Sequence, residues 1–429
     1  MAILAKCRVM RGVIHPPMRL YSLLCLLISL LAPLTLIAQE RKNNAQMPSL
    51  PRHVATALER LPKMSAPDRE KLHQQIVRAF GLKNLAQGRA APKIEQTTVL
   101  WAVMDPKPAQ IVQEDGTLIG DMIALGADGL QVFVKELPNF TELRYRVECG
   151  GMPRMAGDVH VEHFEPAPES LVQADVPQGT LHTFEWTQSK VFPDTLRTVT
   201  VYLPPNHTPG EETCLMVWQD GTRHAERTGG MRVPVVFDNL IHQKAIPRMV
   251  GIFIDPGRRP KQKPGDKAAN RSFEYDSLGD AYVRFLLTEI IPEVEKRHPV
   301  KFRPQAEAWG IAGGSSGGIC AFTAAWERPD KFRKVLSWVG SFVDLRGGHA
   351  YPSMVRLAER KPLRIYLQDG TNDLDNPFGN WPLANKQMAA ALKFMNYDFR
   401  IDWNGGFHGS KGMAPLLPDA LRWLWRDVK

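Results

Sequence analysis

From about residue 180 onward, short apolar runs alternate with longer stretches of helical spacing. The runs predict strands over His182–Thr187, Arg197–Leu203, Cys214–Gln219, Arg248–Ile254, Ala306–Ile311, Lys334–Val339, Leu363–Gln368 and Asp398–Trp403. Between them the pattern predicts helices over Val233–Gln243, Ser277–Arg297, Ser316–Arg328, Tyr351–Arg360, Asn380–Asn396 and Pro415–Val428. Alternation of this kind demands a mostly parallel sheet with helices on both faces, an α/β class. In such sheets ligands bind beyond the carboxyl ends of the strands.

The region before it reads differently. Strands are expected at Thr97–Val103, Gln110–Val112, Leu130–Val134, Leu143–Val147 and His160–Phe164, separated by turns such as Glu114-Asp115-Gly116. They suggest a small β-sandwich over residues 93–166, ahead of the α/β domain over 175–429. His160 and His163 fall on opposite faces of a strand and lack a carboxylate or cysteine cluster, so they do not suggest a metal site. Residues 39–92 form a linker or helical preface, with a helix from Asp68 through Phe80 stopped by Gly81.

The start of the chain changes the expected address. Lys6, Arg8, Arg11 and Arg19 precede an uncharged run from Leu20 to Ala38. Basic segment, apolar core and small terminal residue describe an export signal over residues 1–38, with Met18 as an alternative start that gives a more compact signal. An uncleaved membrane anchor is the alternative. The expected location is periplasmic or secreted. Of the formal charge of +9, four positive charges lie in this segment, leaving about +5. Without zinc spacing or an aromatic-interleaved basic stripe, that charge gives no support for nucleic-acid binding. The cluster Arg258, Arg259, Lys261, Lys263 reads as a solvated loop. Cys149, Cys214 and Cys320 form no disulfide framework, and Cys214 and Cys320 read as small buried residues.

The chemistry begins at Gly313-Gly314-Ser315-Ser316-Gly317-Gly318. A strand running into Gly-x-Ser-x-Gly and then a helix is the context of a nucleophile elbow. With Gly314 and Gly318 two residues either side, Ser316 is the candidate nucleophile. An acid and a histidine should follow in that order. His408, in the glycine-rich loop Gly405–Ser410, is preferred over His349. The acid comes from Asp369-Gly370-Thr371-Asn372-Asp373-Leu374-Asp375. Asp373 is favoured, Asp369 reads as shaping the turn, and Asp375 is held in reserve. Gly317 supplies one oxyanion N–H, and Gly221 or Thr222 the second.

These residues carry a resemblance. Val201-Tyr202-Leu203-Pro204-Pro205, Trp218-Gln219-Asp220-Gly221, Arg271-Ser272-Phe273-Glu274-Tyr275, Gly313–Gly318, Gly370-Thr371-Asn372-Asp373 and Gly405-Gly406-Phe407-His408 resemble the enterochelin-esterase branch of the esterase D-like α/β-hydrolases. That family includes bacterial feruloyl and acetyl-xylan esterases. The resemblance implies an α/β-hydrolase fold over about 180–429 and an early-set immunoglobulin-like domain before it. It also implies Asp373 as the acid and Arg271, Glu274 and Tyr275 as substrate-site members. Asp220 and Trp381 are added as substrate-site candidates from their positions. An export signal departs from the cytoplasmic enterochelin esterases. It favours acyl or feruloyl esters of polysaccharide over siderophore trilactones. No cofactor is implied. An acyltransferase of the same fold and a non-catalytic glycan-binding protein remain open.

Overall fold

The computed structural model describes residues 49–259 and 270–428. The expected export segment, with Cys7 and Cys25, lies outside the described residues, as do Lys261 and Lys263. Among the described residues no helix is long and apolar enough to cross a membrane.

The chain divides into two compact units. The first holds the described residues through Pro108 together with Met122–Lys135. Here helices Leu50–Glu59, Ala66–Phe80 and Leu82–Ala86 bury Val54, Leu72, Ile76, Phe80 and Leu85 against Leu100, Ala102, Leu130 and Val132. Ser65 accepts the Asp68 N–H to start the second helix, and Gly81, at φ 80°, ends it. The strands are β1 (Lys93–Glu95), β2 (Thr98–Met104), β5 (Ile123–Ala124) and β6 (Leu130–Glu136), in order β1-β2-β6-β5.

The second unit holds Ala109–Asp121 and Glu136–Lys429. It begins with a four-stranded antiparallel sheet of β3 (Ala109–Gln113), β4 (Leu118–Asp121), β7 (Thr141–Cys149) and β8 (Met152–Val161), in order β4-β3-β7-β8. The strand expected at His160–Phe164 is the end of β8. The chain leaves the sheet at Glu162.

The large sheet contains β9 (Thr180–Trp186), β10 (Arg197–Leu203), β11 (Glu212–Gln219), β12 (Met249–Ile254), β13 (Lys301–Phe302), β14 (Trp309–Gly314), β15 (Lys334–Trp338), β16 (Arg364–Gly370) and, after the hairpin β17 (Asp375–Asn376) and β18 (Gly379–Asn380), β19 (Asp398–Asn404). Its order is β9-β10-β12-β11-β14-β15-β16-β19, with β13 beside β11. All neighbours from β12 to β19 run parallel, while β9 and β10 are antiparallel. The central strands are apolar throughout because helices cover both faces.

Two departures from the sequence pattern matter. The helix expected over Ser277–Arg297 starts at Ala281 and contains a π turn at Leu286–Ile290, just before Pro292, whose ring nitrogen cannot donate to the ladder. The strand expected to end at Ile311 runs on to Gly314. Gly313 and Gly314 carry no hydrophobic signature, yet both are buried sheet residues. That extension moves the elbow.

Candidate active site

Three loops at the carboxyl edge of the parallel strands bring the reacting groups together. The first is the turn after β14. Ser315, the residue between strand and helix, has φ 58° and ψ −124°, a left-handed conformation that costs about 1–3 kcal/mol for a side-chain-bearing residue. A Cβ on Gly313 would lie 2.3 Å from the Gly317 carbonyl oxygen, so strand and helix can approach only because position 313 is glycine. Gly314 is equally constrained: its Cβ would sit 2.3 Å from Trp338 Nε1. The elbow is therefore Gly313-x-Ser315-x-Gly317, one residue upstream of the expected frame.

The second loop follows β16 and carries Asp373. The third follows β19 and carries His408. His408 Nε2 lies 2.9 Å from Ser315 Oγ, and His408 Nδ1 lies 2.5 Å from Asp373 Oδ1. Asp373 Oδ1 also accepts the Leu374 N–H at 2.6 Å. With Nδ1–H committed to the carboxylate, Nε2 is left as acceptor for the Ser315 hydroxyl. Ser341 Oγ, 3.3 Å from Ser315 Oγ, then supplies a hydrogen to the serine oxygen. Ser315 is partly accessible, whereas Ser316 is buried.

Ser316 is thus corrected as the nucleophile. Its side chain is buried and acts on the carboxyl of Asp276, which is itself buried. Burial pushes that carboxyl up, against the pull of the Ser272 and Ser316 hydroxyls and the Arg271 and Arg346 guanidinium groups. With the frame shifted, the backbone N–H that follows the turn serine is that of Ser316, not Gly317. This N–H opens the helix Ser316–Glu327, whose first amides have no intrahelical partner. Across from it is the turn after β11, since a Cβ on Gly317 would lie 3.1 Å from Gln219 Cβ. There Asp220 is left-handed at φ 52°, and Gly221 packs so tightly that its Cβ would sit 2.1 Å from Ile254 N.

The expected substrate-site residues divide. Arg271 pairs with Asp220 through both Nε and Nη2, at 2.8 and 2.7 Å, beside the elbow. Trp381 stands edge-on to the His408 ring, with centroids 5.7 Å apart. Glu274 does not join them: its side chain is buried in a bidentate ion pair with Arg197. Tyr275 is also buried. Its hydroxyl accepts the Asp220 N–H and donates to Ile254 O, which supports the β11 turn. His349 pairs with Asp344 and Asp375 lies on the β17 hairpin.

Asp369 is the residue the sequence undervalued. It is fully buried at the end of β16, and its Oδ1 accepts the Gly370 N–H. Burial, then the hydrogen bond and charge of Asp373, push its carboxyl from the ordinary 3.8 up to about 9. Its carboxyl is therefore held in the protonated form at neutral pH. A carboxyl raised in this way adds stability fully present below its unfolded value, lost as pH rises through about 9. Asp369→Asn, which keeps a donor toward Asp373, is expected to flatten the fall in melting temperature between pH 5 and 9. An unchanged slope in a thermal denaturation series would refute this assignment of the proton.

A parallel sheet, a left-handed serine at a strand-to-helix turn, and an imidazole between that serine and an aspartate define the class as an α/β-hydrolase-like ester hydrolase. The chain belongs to the family described as putative esterase, whose profile matches residues 190–409, just over half of its length. No curated protein matches it. Among solved structures, an enterobactin esterase from Shigella flexneri, determined in the presence of enterobactin, aligns with a TM-score of 0.55 at 18% identity, covering 79% of this chain and 96% of that one. An enterochelin esterase from Shigella flexneri aligns at 0.54 and 18%, covering 78% and 95%. A ferulic acid esterase from Anaeromyces mucronatus aligns at 0.49 and 17%, covering 60% and 95%.

Proposed function

We propose that this protein is an exported serine ester hydrolase using Ser315, His408 and Asp373. The observation that carries the reading is the continuous hydrogen-bond chain from Ser315 Oγ through His408 to Asp373, set on a strained elbow. Ser315 Oγ attacks the ester carbonyl carbon as Nε2 of His408 takes its proton. The carbonyl becomes an oxyanion facing the N–H groups of Ser316 and Gly221. The imidazolium, steadied by Asp373, returns the proton to the leaving alkoxide. Water then attacks the acyl-enzyme with His408 as base, and Ser315 departs with the proton.

The substrates are acyl or feruloyl esters of polysaccharide. Exposed Phe273 and Phe378, on segments adjoining the Arg271 and Asp373 loops, suit an aromatic acyl group. The fold shared with enterobactin esterase over most of both chains favours a siderophore trilactone as the second reading. The uncharged run through Ala38 supports export, and the short strands between Lys93 and Val161 support a β-rich reading of 93–166.

The test is a fluorophosphonate probe followed by peptide mass spectrometry. Label on Ser315, blocked by prior incubation with a feruloyl ester, is expected. Label elsewhere, or none, would overturn the serine mechanism and favour a binding protein. Product analysis with a sugar acceptor separates hydrolysis from acyl transfer.

A further inference from the structure

We infer that Glu162, on the segment leaving β8, is a positioning residue for His408. The inference rests on the reading of Ser315, His408 and Asp373 above. His408 sits in Asn404-Gly405-Gly406-Phe407-His408-Gly409, where three glycines leave the backbone little stiffness of its own. Its upstream side is held within the catalytic fold. Asn372 Nδ2 donates to Gly405 O, Asn372 N–H donates to Gly406 O, and Gly406 N–H donates to Asn404 Oδ1. The residue joined to His408 is held from outside that fold. Phe407 N–H donates to Glu162 Oε1 at 2.9 Å.

The contact is built to close tolerance. A Cβ on Gly406 would lie 2.8 Å from Glu162 Oε1, and one on Gly405 would lie 2.4 Å from Phe140 Cδ2. The His160 ring meets the Phe407 ring edge-on, with centroids 5.3 Å apart. The Glu162 side chain is only 10% exposed, with Lys411 Nζ 3.7 Å away. A carboxylate so far removed from water is costly unless it accepts hydrogen bonds, and the backbone of the catalytic loop is what it accepts from. Charge-assisted bonds of this kind are the stronger and more directional ones. The β7–β8 hairpin therefore serves the reaction by fixing the loop that aims the imidazole. A displacement near 1 Å at a reacting group can cost about a hundredfold in rate.

The experiment compares wild type with Glu162→Ala, Glu162→Asp and Glu162→Gln, using a p-nitrophenyl acyl ester and the fluorophosphonate probe. Glu162→Ala is expected to lower kcat and the labelling rate of Ser315 by about tenfold to a hundredfold, with KM within about twofold. Glu162→Asp, one methylene short, should lose about threefold to tenfold while keeping the charge. Glu162→Gln, which keeps an acceptor oxygen, should recover to within about threefold of wild type. Ala and Asp variants both within about twofold of wild type, a loss confined to KM, or a Gln variant as slow as Ala would overturn the inference while leaving the triad standing. Failure of wild type to be labelled at all overturns the triad and this inference with it.

Discussion

Ser315→Ala is expected to lose about 10⁴–10⁶ in kcat for ester hydrolysis, whereas Ser316→Ala stays within about tenfold of wild type. The contrast follows from where each oxygen points. Ser315 Oγ is 2.9 Å from His408 Nε2 and belongs to a partly accessible residue. Ser316 offers the reaction its backbone N–H, which survives any change of side chain. Its hydroxyl does matter to Asp276, a buried carboxyl helped by Ser272 and Ser316. Ser316→Ala should therefore lower the melting temperature modestly, and the rates belong at a temperature where both variants are folded. Steady-state assays of the two variants decide the matter. Full activity in Ser315→Ala, or loss of several orders of magnitude in Ser316→Ala, would return the nucleophile to position 316.

The same pair of serines marks the limit of what the sequence discloses. Strand β10 is legible residue for residue, because apolar side chains fill a central strand and turn residues bound it. The order serine, acid, histidine narrows the search to the loop Asp369–Asp375 and to His349 or His408; the position of the glycine-rich loop favours His408, and the family resemblance favours Asp373. The frame of the elbow cannot be read, because Gly-Gly-Ser-Ser-Gly-Gly satisfies Gly-x-Ser-x-Gly twice. What selects one frame is the end of β14, and that end is two glycines whose burial comes from Trp338 and the Gly317 backbone. Asp369 hides for a similar reason. An aspartate before glycine looks like turn chemistry, and only burial beside Asp373 makes it an acid. Glu162 could have been noticed only as a charged residue at the end of a strand. Its partner lies 245 residues away.

Glu274→Ala is expected to destabilise the protein by about 3–5 kcal/mol, as is Arg197→Ala, because each leaves an uncompensated buried charge. The arrangement is demanding. Arg197 and Glu274 side chains are both wholly inaccessible. Glu274 accepts from Arg197 Nη1 at 2.6 Å and Nη2 at 3.0 Å, from Asn270 Nδ2 at 2.6 Å and from Gly257 N at 3.2 Å. The guanidinium carbon lies 4.3 Å from the centroid of the Phe285 ring. Four donors leave the carboxylate no oxygen lone pair for a substrate, which is why the pocket role implied by resemblance gives way to a structural one. The pair joins the start of β10 to the short helix Arg271–Tyr275, and so indirectly fixes Arg271 and Tyr275 beside the β11 turn. Replacing both members together by apolar residues, Arg197→Met with Glu274→Leu, should recover most of the loss, since paired removal leaves no orphaned charge. Urea unfolding of the two single variants and the double variant measures this directly. Single variants as stable as wild type, or a Glu274→Ala enzyme that stays folded while its KM rises more than about tenfold, would restore Glu274 to the substrate site.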